Sequence, residues 1–277
     1  MISIVVAYHN RKPQFKLTLE SIKQQEHDNI EVIAVDDRSR PEDRIEDLRA
    51  EFNFLRVIRL DSTEFRNPCL SYNIGFKEAS GDVVIIQNPE CVHAGNIIAT
   101  TEKLISDDNY LSFGVYSASI DLSGRIAQAS EHLFHYDHIR DLVLASRQAG
   151  AGNPGRDDVW YNHSVYSPRH LHFTTAITRN NLERLNGFDE RYALGMDYDD
   201  DELRQRIIRM GLKIQPVDDP FSIHLWHESH FVNTVIHGVE HSPQQLSARN
   251  QNVFVNHTLK ETHWKAAYNE YYNCDRN

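Results

Sequence analysis

Cysteine is scarce in this chain. Cys69, Cys91 and Cys274 are the three in 277 residues, and no CxxC pair occurs. This excludes a disulfide framework, and Cys69 and Cys91 are expected to be buried and inert. No apolar run approaches the length of a membrane span. The opening MISIVVAYHN has neither the basic lead nor the cleavage site of a signal peptide. Together these features predict a reducing, cytoplasmic location. Basic residues are also short: 29 Lys and Arg stand against 40 Asp and Glu, for a net charge of −11. That balance argues against sequence-independent nucleic-acid binding, which needs clustered cations. A metal ion or a local basic residue can still hold phosphate on an acidic chain. No GxGxxG follows the first apolar run and no GxxxxGK[ST] occurs anywhere. Both absences count against dinucleotide and P-loop sites.

What is present begins with alternation. Apolar runs at 2–8, 30–37, 54–60 and 82–88 read as buried strands. Helical stretches are expected from Pro13, over 41–52, over 68–79 and over 97–105. Strands alternating with helices predict an α/β fold, a parallel sheet with helices on both faces. Ligands then bind beyond the carboxyl ends of the strands. Those ends carry Tyr8-His9-Asn10-Arg11, Asp36-Asp37-Arg38-Ser39 and Asn88-Pro89-Glu90. After residue 110 the pattern changes. Residues 110–130 read as two strands about Ser123-Gly124, and 146–170, rich in Gly, Pro, Asn and Ser, as a long lid or binding loop. A strand is expected over 173–179, a helix from Asn180 capped by Gly187, and a helix over 197–211 with acid first and base last. The tail from about 243 reads as mostly helical and polar, and could pack on the domain, dimerise or meet a partner.

Three clusters carry chemistry. Asp36 and Asp37 either accept from a ribose hydroxyl or base N–H, or make a turn. Asp197, Asp199, Asp200, Asp201 and Glu202 crowd five carboxylates into six residues. Such crowding raises a pKa and can poise a base, or it can serve only the helix dipole. His224, His227 and His230 follow a strand, and with Glu90 offer an O/N site suited to Mn2+ or Mg2+. Pro89 ends its strand and leaves Glu90 in a stiff turn, as a turn residue or a ligand. Trp160 and Tyr161 either stack on a sugar or anchor their loop.

Four segments in order resemble the family 2 glycosyltransferases of the GT-A fold: VVAYHNR, IEVIAVDDRS, SYNIGFKEASGDVVIIQNPE and LNGFDERYALGMDYDDDEL. The resemblance covers about residues 2 to 227. It implies a Rossmann-like, mostly parallel sheet with a helical C-terminal extension, and a catalytic domain over 1–230. Residues 1–110 would be the nucleotide-binding half, 111–230 the acceptor-side half and 231–277 the extension. By the same resemblance, Ala7, His9, Asn10 and Arg11 line the nucleotide pocket, Asp37 contacts the base, and Asn73 matches the family's Asn. Asp199-Asp200 match a Glu-Asp pair in which Asp200 falls on the catalytic base. His227 resembles a late histidine that completes metal coordination, with His224 as the alternative. The implied activity is hexosyltransferase-like: an inverting transfer from a UDP- or GDP-sugar to a glycan, lipid-linked or protein acceptor, assisted by Mn2+ or Mg2+ on the donor diphosphate. Oligomerisation through the tail is compatible with this reading. The departure is Asn88-Pro89-Glu90, where the family has D-x-D. Asn88 offers a neutral oxygen, and Glu90 alone brings charge. The alternatives are a non-catalytic nucleotide- or glycan-binding protein on a degraded GT-A fold, and a nucleotidyltransferase.

Overall fold

The computed structural model describes residues 1–61, 67–130, 135–146, 152–228, 233–269 and 272. His230, Tyr271 and Cys274 lie outside them. The first half follows the expected alternation. β1 (Ile2–Tyr8) leads to α1 (Lys12–Lys23), β2 (Ile30–Asp37), β3 (Leu55–Leu60), α2 (Cys69–Glu78) and β4 (Val83–Gln87). The unbroken β-branched run of β1 suits a strand covered on both faces, and Ile4, Val5 and Val6 are fully buried. β5 (Cys91–Ala94) and α3 (Ile97–Leu104) follow, and Asn96 caps α3 by accepting from Ala99 N.

Two expectations fail in instructive ways. Residues 41–52 form two short 3-10 helices, Pro41–Asp43 and Glu46–Ala50, rather than one α-helix. The break at Arg44 is extended, while the Tyr8 hydroxyl donates to the Asp43 carbonyl (2.6 Å) and Ile45 is driven into the core. Residues 110–130 are one strand and one helix, not two strands: β6 (Asn109–Ser117), then α4 (Ile120–Ala129). Ser119 caps α4 by accepting from Leu122 N, and Leu122 and Ile126 bury one face at helical spacing.

The remaining elements are α5 (Tyr136–Ser146), β7 (Val159–Asn162), β8 (Thr174–Thr178), α6 (Arg179–Leu185) and α7 (Asp199–Arg209). β9 (Lys213–His224), β10 (Thr234–Ile236), β11 (Val239–His241) and α8 (Pro243–Asn256) complete the strands and α-helices among the described residues. The helix before Gly187 ends one residue earlier than expected, with Asn186 left-handed at φ 64°. The tail is helical over α8 and a turn at Thr258–Lys260, then irregular. It packs on its own domain, with Ala266 N donating to Leu185 O (3.0 Å) and Asn269 buried.

The main sheet runs β3-β2-β1-β4-β8-β6-β9-β5, with β7 beside β6. β3, β2, β1 and β4 are mutually parallel, as are β6 and β9. β8 is antiparallel to both its neighbours, as are β5 to β9 and β7 to β6. The sheet is therefore parallel through the first half and mixed beyond it. Two registers position the site. Tyr8 pairs with Asp36 and Val6 with Gln87, so β1, β2 and β4 end along one edge. Cys91 pairs with His224, which brings the end of β9 against the turn after β4.

Candidate active site

That edge opens into a cavity of about 510 Å³ lined by Ala7, Tyr8, His9, Arg11, Asp37, Arg38, Tyr72, Asn88, Glu90, Arg156, Tyr161, His224 and His227, among others. A second cavity of about 380 Å³ adjoins it, lined by His172, Met196, Tyr198, Asp199, Asp200 and neighbours. Pro68, Asn88 and Met196 belong to both walls.

The two aspartates ending β2 part company. Asp36 is fully buried, accepts from Ser39 N (2.9 Å) and pairs with Arg59 (3.0 Å). It is the turn residue, and Asp37 faces the cavity with Arg38 Nε at 2.9 Å. His9 Nδ1 donates to the Asp37 carbonyl (2.6 Å), a tautomer assigned from that acceptor, leaving Nε2 to accept from Asn10 Nδ2 (2.9 Å). Asn10 is left-handed at φ 51°. Its N donates to Ser39 Oγ and its Oδ1 accepts from Arg40 N. Asn10 thus holds the β1 and β2 loops together from behind the cavity wall. Asn73 also lies away from the cavity. It is fully buried, donates to Phe188 O and Glu190, and accepts from Phe188 N, tying α2 to the 187–190 turn.

Glu90 occupies a turn closed by Cys91 N donating to Asn88 O (3.2 Å). Thr18 Oγ1 donates to Pro89 O (2.8 Å) and fixes the turn on α1. Glu90 Oε1 lies 3.1 Å from His224 Nε2 and 3.6 Å from His227 Nε2, and donor atoms of all three side chains fall within 4.8 Å of one another. Arg11 Nε stands 3.2 Å from the other carboxylate oxygen. Burial alone would raise the Glu90 pKa. The Arg11 charge and the bonds from His224 and His227 overcome it and hold the carboxyl well below the usual range. His227 Nδ1 lies 2.9 Å from the Glu228 carbonyl and 3.0 Å from Arg11 Nη2, while Nε2 lies 3.6 Å from Glu90 Oε1. Two buried atoms here, Glu90 Oε2 and His224 Nδ1, make no hydrogen bond. One carboxylate, two imidazoles and two unsatisfied polar atoms fit a divalent cation, and the nitrogen-rich set suits Mn2+ better than Mg2+. Asn88 contributes less than expected, because its Oδ1 accepts from the Tyr72 hydroxyl (3.0 Å).

In the second cavity, Asp200 accepts from His172 N (2.5 Å) and pairs with His172 Nδ1. Asp199 is buried, accepts from Asn67 Nδ2 (2.8 Å) and lies 3.7 Å from His172 Nε2. Its pKa is pushed up to about 6, first by burial and then by the Asp200 charge, against His172 and Asn67. Burial would lower the His172 pKa, but the two aspartates raise it. The turn before α7 holds Asp197 and Tyr198 both left-handed, at φ 61° and 66°. Non-glycine residues adopt this conformation at a cost of about 1–2 kcal/mol each. Asn250 of α8 anchors the turn by donating to Asp197 O (3.1 Å) and Tyr192 O (3.0 Å).

The structure brings Ala7, His9, Arg11, Asp37, Asn88, Glu90, His224 and His227 to one cavity and Asp199 and Asp200 to the next. Sequence reading missed His172, Tyr72, Arg156 and Met196. His172 lies two residues before β8, and a histidine at a strand entrance was the available signal. Residues Val159–Asn162, expected within a long loop, instead form β7 beside β6, where Trp160 is buried against Tyr116 and Phe221 while Tyr161 faces the cavity. Cys69 and Cys91 are fully buried and burial pushes both thiols up, as their inert role requires.

Among solved structures, the chain is similar to the mannosyltransferase PcManGT from Pyrobaculum calidifontis in complex with GDP-Man and Mn2+, at 16% identity and TM-score 0.52. It is also similar to S. aureus TarS 1-349 in complex with UDP-GlcNAc, at 16% identity and TM-score 0.55. Each match covers 83% of this chain, and the chain spans 58% and 59% of those two structures. These likenesses establish the GT-A glycosyltransferase fold. No curated protein matches the sequence. The family model for glycosyl transferase family 2 matches residues 3–167, more than half of the sequence, and the chain belongs to that family.

Proposed function

We propose that this protein transfers a sugar from a nucleotide-diphospho-sugar to an acceptor hydroxyl, with inversion at the anomeric carbon. The observation that carries the reading is the pair of adjoining cavities. One gathers three guanidinium groups, Asp37 and the Glu90–His224–His227 set, and the other presents an aspartate pair on a histidine. In this reading Asp37 receives the base, and Arg11 and Arg156 face the diphosphate. Asp200 takes the proton as the acceptor oxygen bonds to the anomeric carbon and the diphosphate departs from the opposite face. Proton removal of this kind contributes about 10²–10⁴-fold. His172 orients Asp200 and offsets the charge of two adjacent carboxylates. Glu90, His224 and His227 would hold Mn2+, which when bound supplies positive charge for the leaving diphosphate. Residues 1–230 form the catalytic unit, and 231–277 an extension that supports it. Two buried free thiols support a reducing compartment such as the cytoplasm.

The test is thermal-shift measurement with UDP-, GDP- and CMP-sugars, with and without Mn2+. Stabilisation by one nucleotide class, larger with Mn2+, is expected. No stabilisation by any of them would sink the reading.

A further inference from the structure

Arg11 stands inside the metal site. Its Nε is 3.2 Å from Glu90 Oε2, and its Nη2 is 3.0 and 3.2 Å from the two ring nitrogens of His227. One guanidinium therefore contacts two of the three side chains that form the site. Glu90 is the single carboxylate of that set, and it is buried. A dication and a guanidinium held against one buried carboxylate repel each other, and the poorly screened surroundings strengthen that repulsion. The Arg11 contact is also loose. Nε and Oε2 are close, yet neither makes an aligned hydrogen bond, and Nη1 reaches only the His9 carbonyl at 3.3 Å. The same side chain lines the larger cavity. Oxyanions of a diphosphate there would offer a guanidinium paired, better aligned acceptors.

We propose that Arg11 is a resident cation that blocks the metal site until a nucleoside diphosphate draws it onto phosphate, so that metal and nucleotide enter together. This rests on the nucleotide-sugar reading of the cavity. Metal alone meets a site already neutralised. Nucleotide supplies the negative charge that moves Arg11, and vacated Glu90 then accepts the dication. Coupling of this kind is reciprocal: nucleotide tightens metal as much as metal tightens nucleotide.

The experiment measures Mn2+ binding to the full chain by electron paramagnetic resonance, without any nucleotide. Arg11→Gln is expected to bind Mn2+ about tenfold tighter than the wild type, the scale on which neighbours of metal ligands act. Binding in the variant that is equal, weaker or undetectable overturns the proposal. A second arm needs no variant: crystal structures of the wild type with and without UDP or GDP plus Mn2+. Arg11 is expected to leave Glu90 for the diphosphate. Arg11 Nε still on Glu90 beside a bound metal overturns it. Failure of the function reading is visible separately, as absence of any nucleotide effect on melting, because the resonance measurement uses metal alone.

Discussion

His224 and Glu90 meet through a register. Cys91 of β5 pairs with His224 of β9, and this sets His224 Nε2 3.1 Å from Glu90 Oε1. The same pairing continues as Leu225 N donating to Glu90 O (3.0 Å), so the turn and the strand end are held together by backbone. The Glu90–His224 contact is thus a rigid one. Glu90→Gln keeps the size of the side chain and removes its charge. The Mn2+-dependent part of nucleotide stabilisation should then fall about tenfold or more in affinity. An unchanged Mn2+ effect on melting would leave Glu90 as a turn residue only.

Asp200→Asn should lower transfer by about 10²–10⁴-fold while leaving nucleotide binding nearly intact. The two cavities share a wall but not their charged groups, so the effects separate. Turnover measured beside nucleotide titration checks this, and retained turnover would refute Asp200 as the base.

Asp199 is expected to make the protein's stability depend on pH. Its folded pKa, about 6, lies above the ordinary 3.8, so the folded chain holds a proton that the unfolded chain has released. Stability on this account falls as pH rises from 3.8 to about 6 and stays lower above it. Asp199→Asn removes the dependence, so the variant should melt higher than the wild type above pH 6 and show a flatter profile below it. His172 acts in the higher window. Its raised pKa gives a contribution that is complete below 6.5 and lost as pH rises through the folded value. Melting curves across this range check both, and a variant profile parallel to the wild type would contradict the assignment.

Asn250 ties the tail to the turn before Asp199 and Asp200. It is fully buried, and its amide holds the carbonyls of Tyr192 and Asp197. Asn250→Ala removes one donor from each carbonyl, leaving Gly195 N on Tyr192 O (3.0 Å) and Asn67 Nδ2 on Asp197 O (3.4 Å), at a cost of about 1 kcal/mol. The left-handed turn before Asp199 and Asp200 should loosen, lowering kcat more than nucleotide affinity. Gly195 packs on the same side chain, with a Cβ placed there only 2.1 Å from Asn250 Oδ1. Gly195→Ala should reproduce the effect, and normal kcat in both variants would separate the tail from the site.

The sequence by itself determined the parallel half of the sheet. Strand periodicity and strand-end polarity are local properties, and β1, β2, β3 and β4 follow from them. It also marked Asp37, Glu90, His224, His227, Asp199 and Asp200, because carboxylates and imidazoles at strand or helix ends are visible in a linear pattern. Tertiary structure decided which of these meet. Asp36 and Asp37 look equivalent in sequence until Arg59 and Ser39 claim one of them. Asn10 and Asn73 look like pocket residues until their hydrogen bonds turn them to the frame. Two errors in secondary structure were local signals outweighed by packing. The 41–52 segment broke where Tyr8 took the Asp43 carbonyl, and 120–129 became helix because Leu122 and Ile126 had a core to enter. His172 against Asp200 and Arg11 against Glu90 were illegible for the same reason. Each contact joins segments far apart in the chain, and only strand register and loop closure set such distances, which no local period encodes.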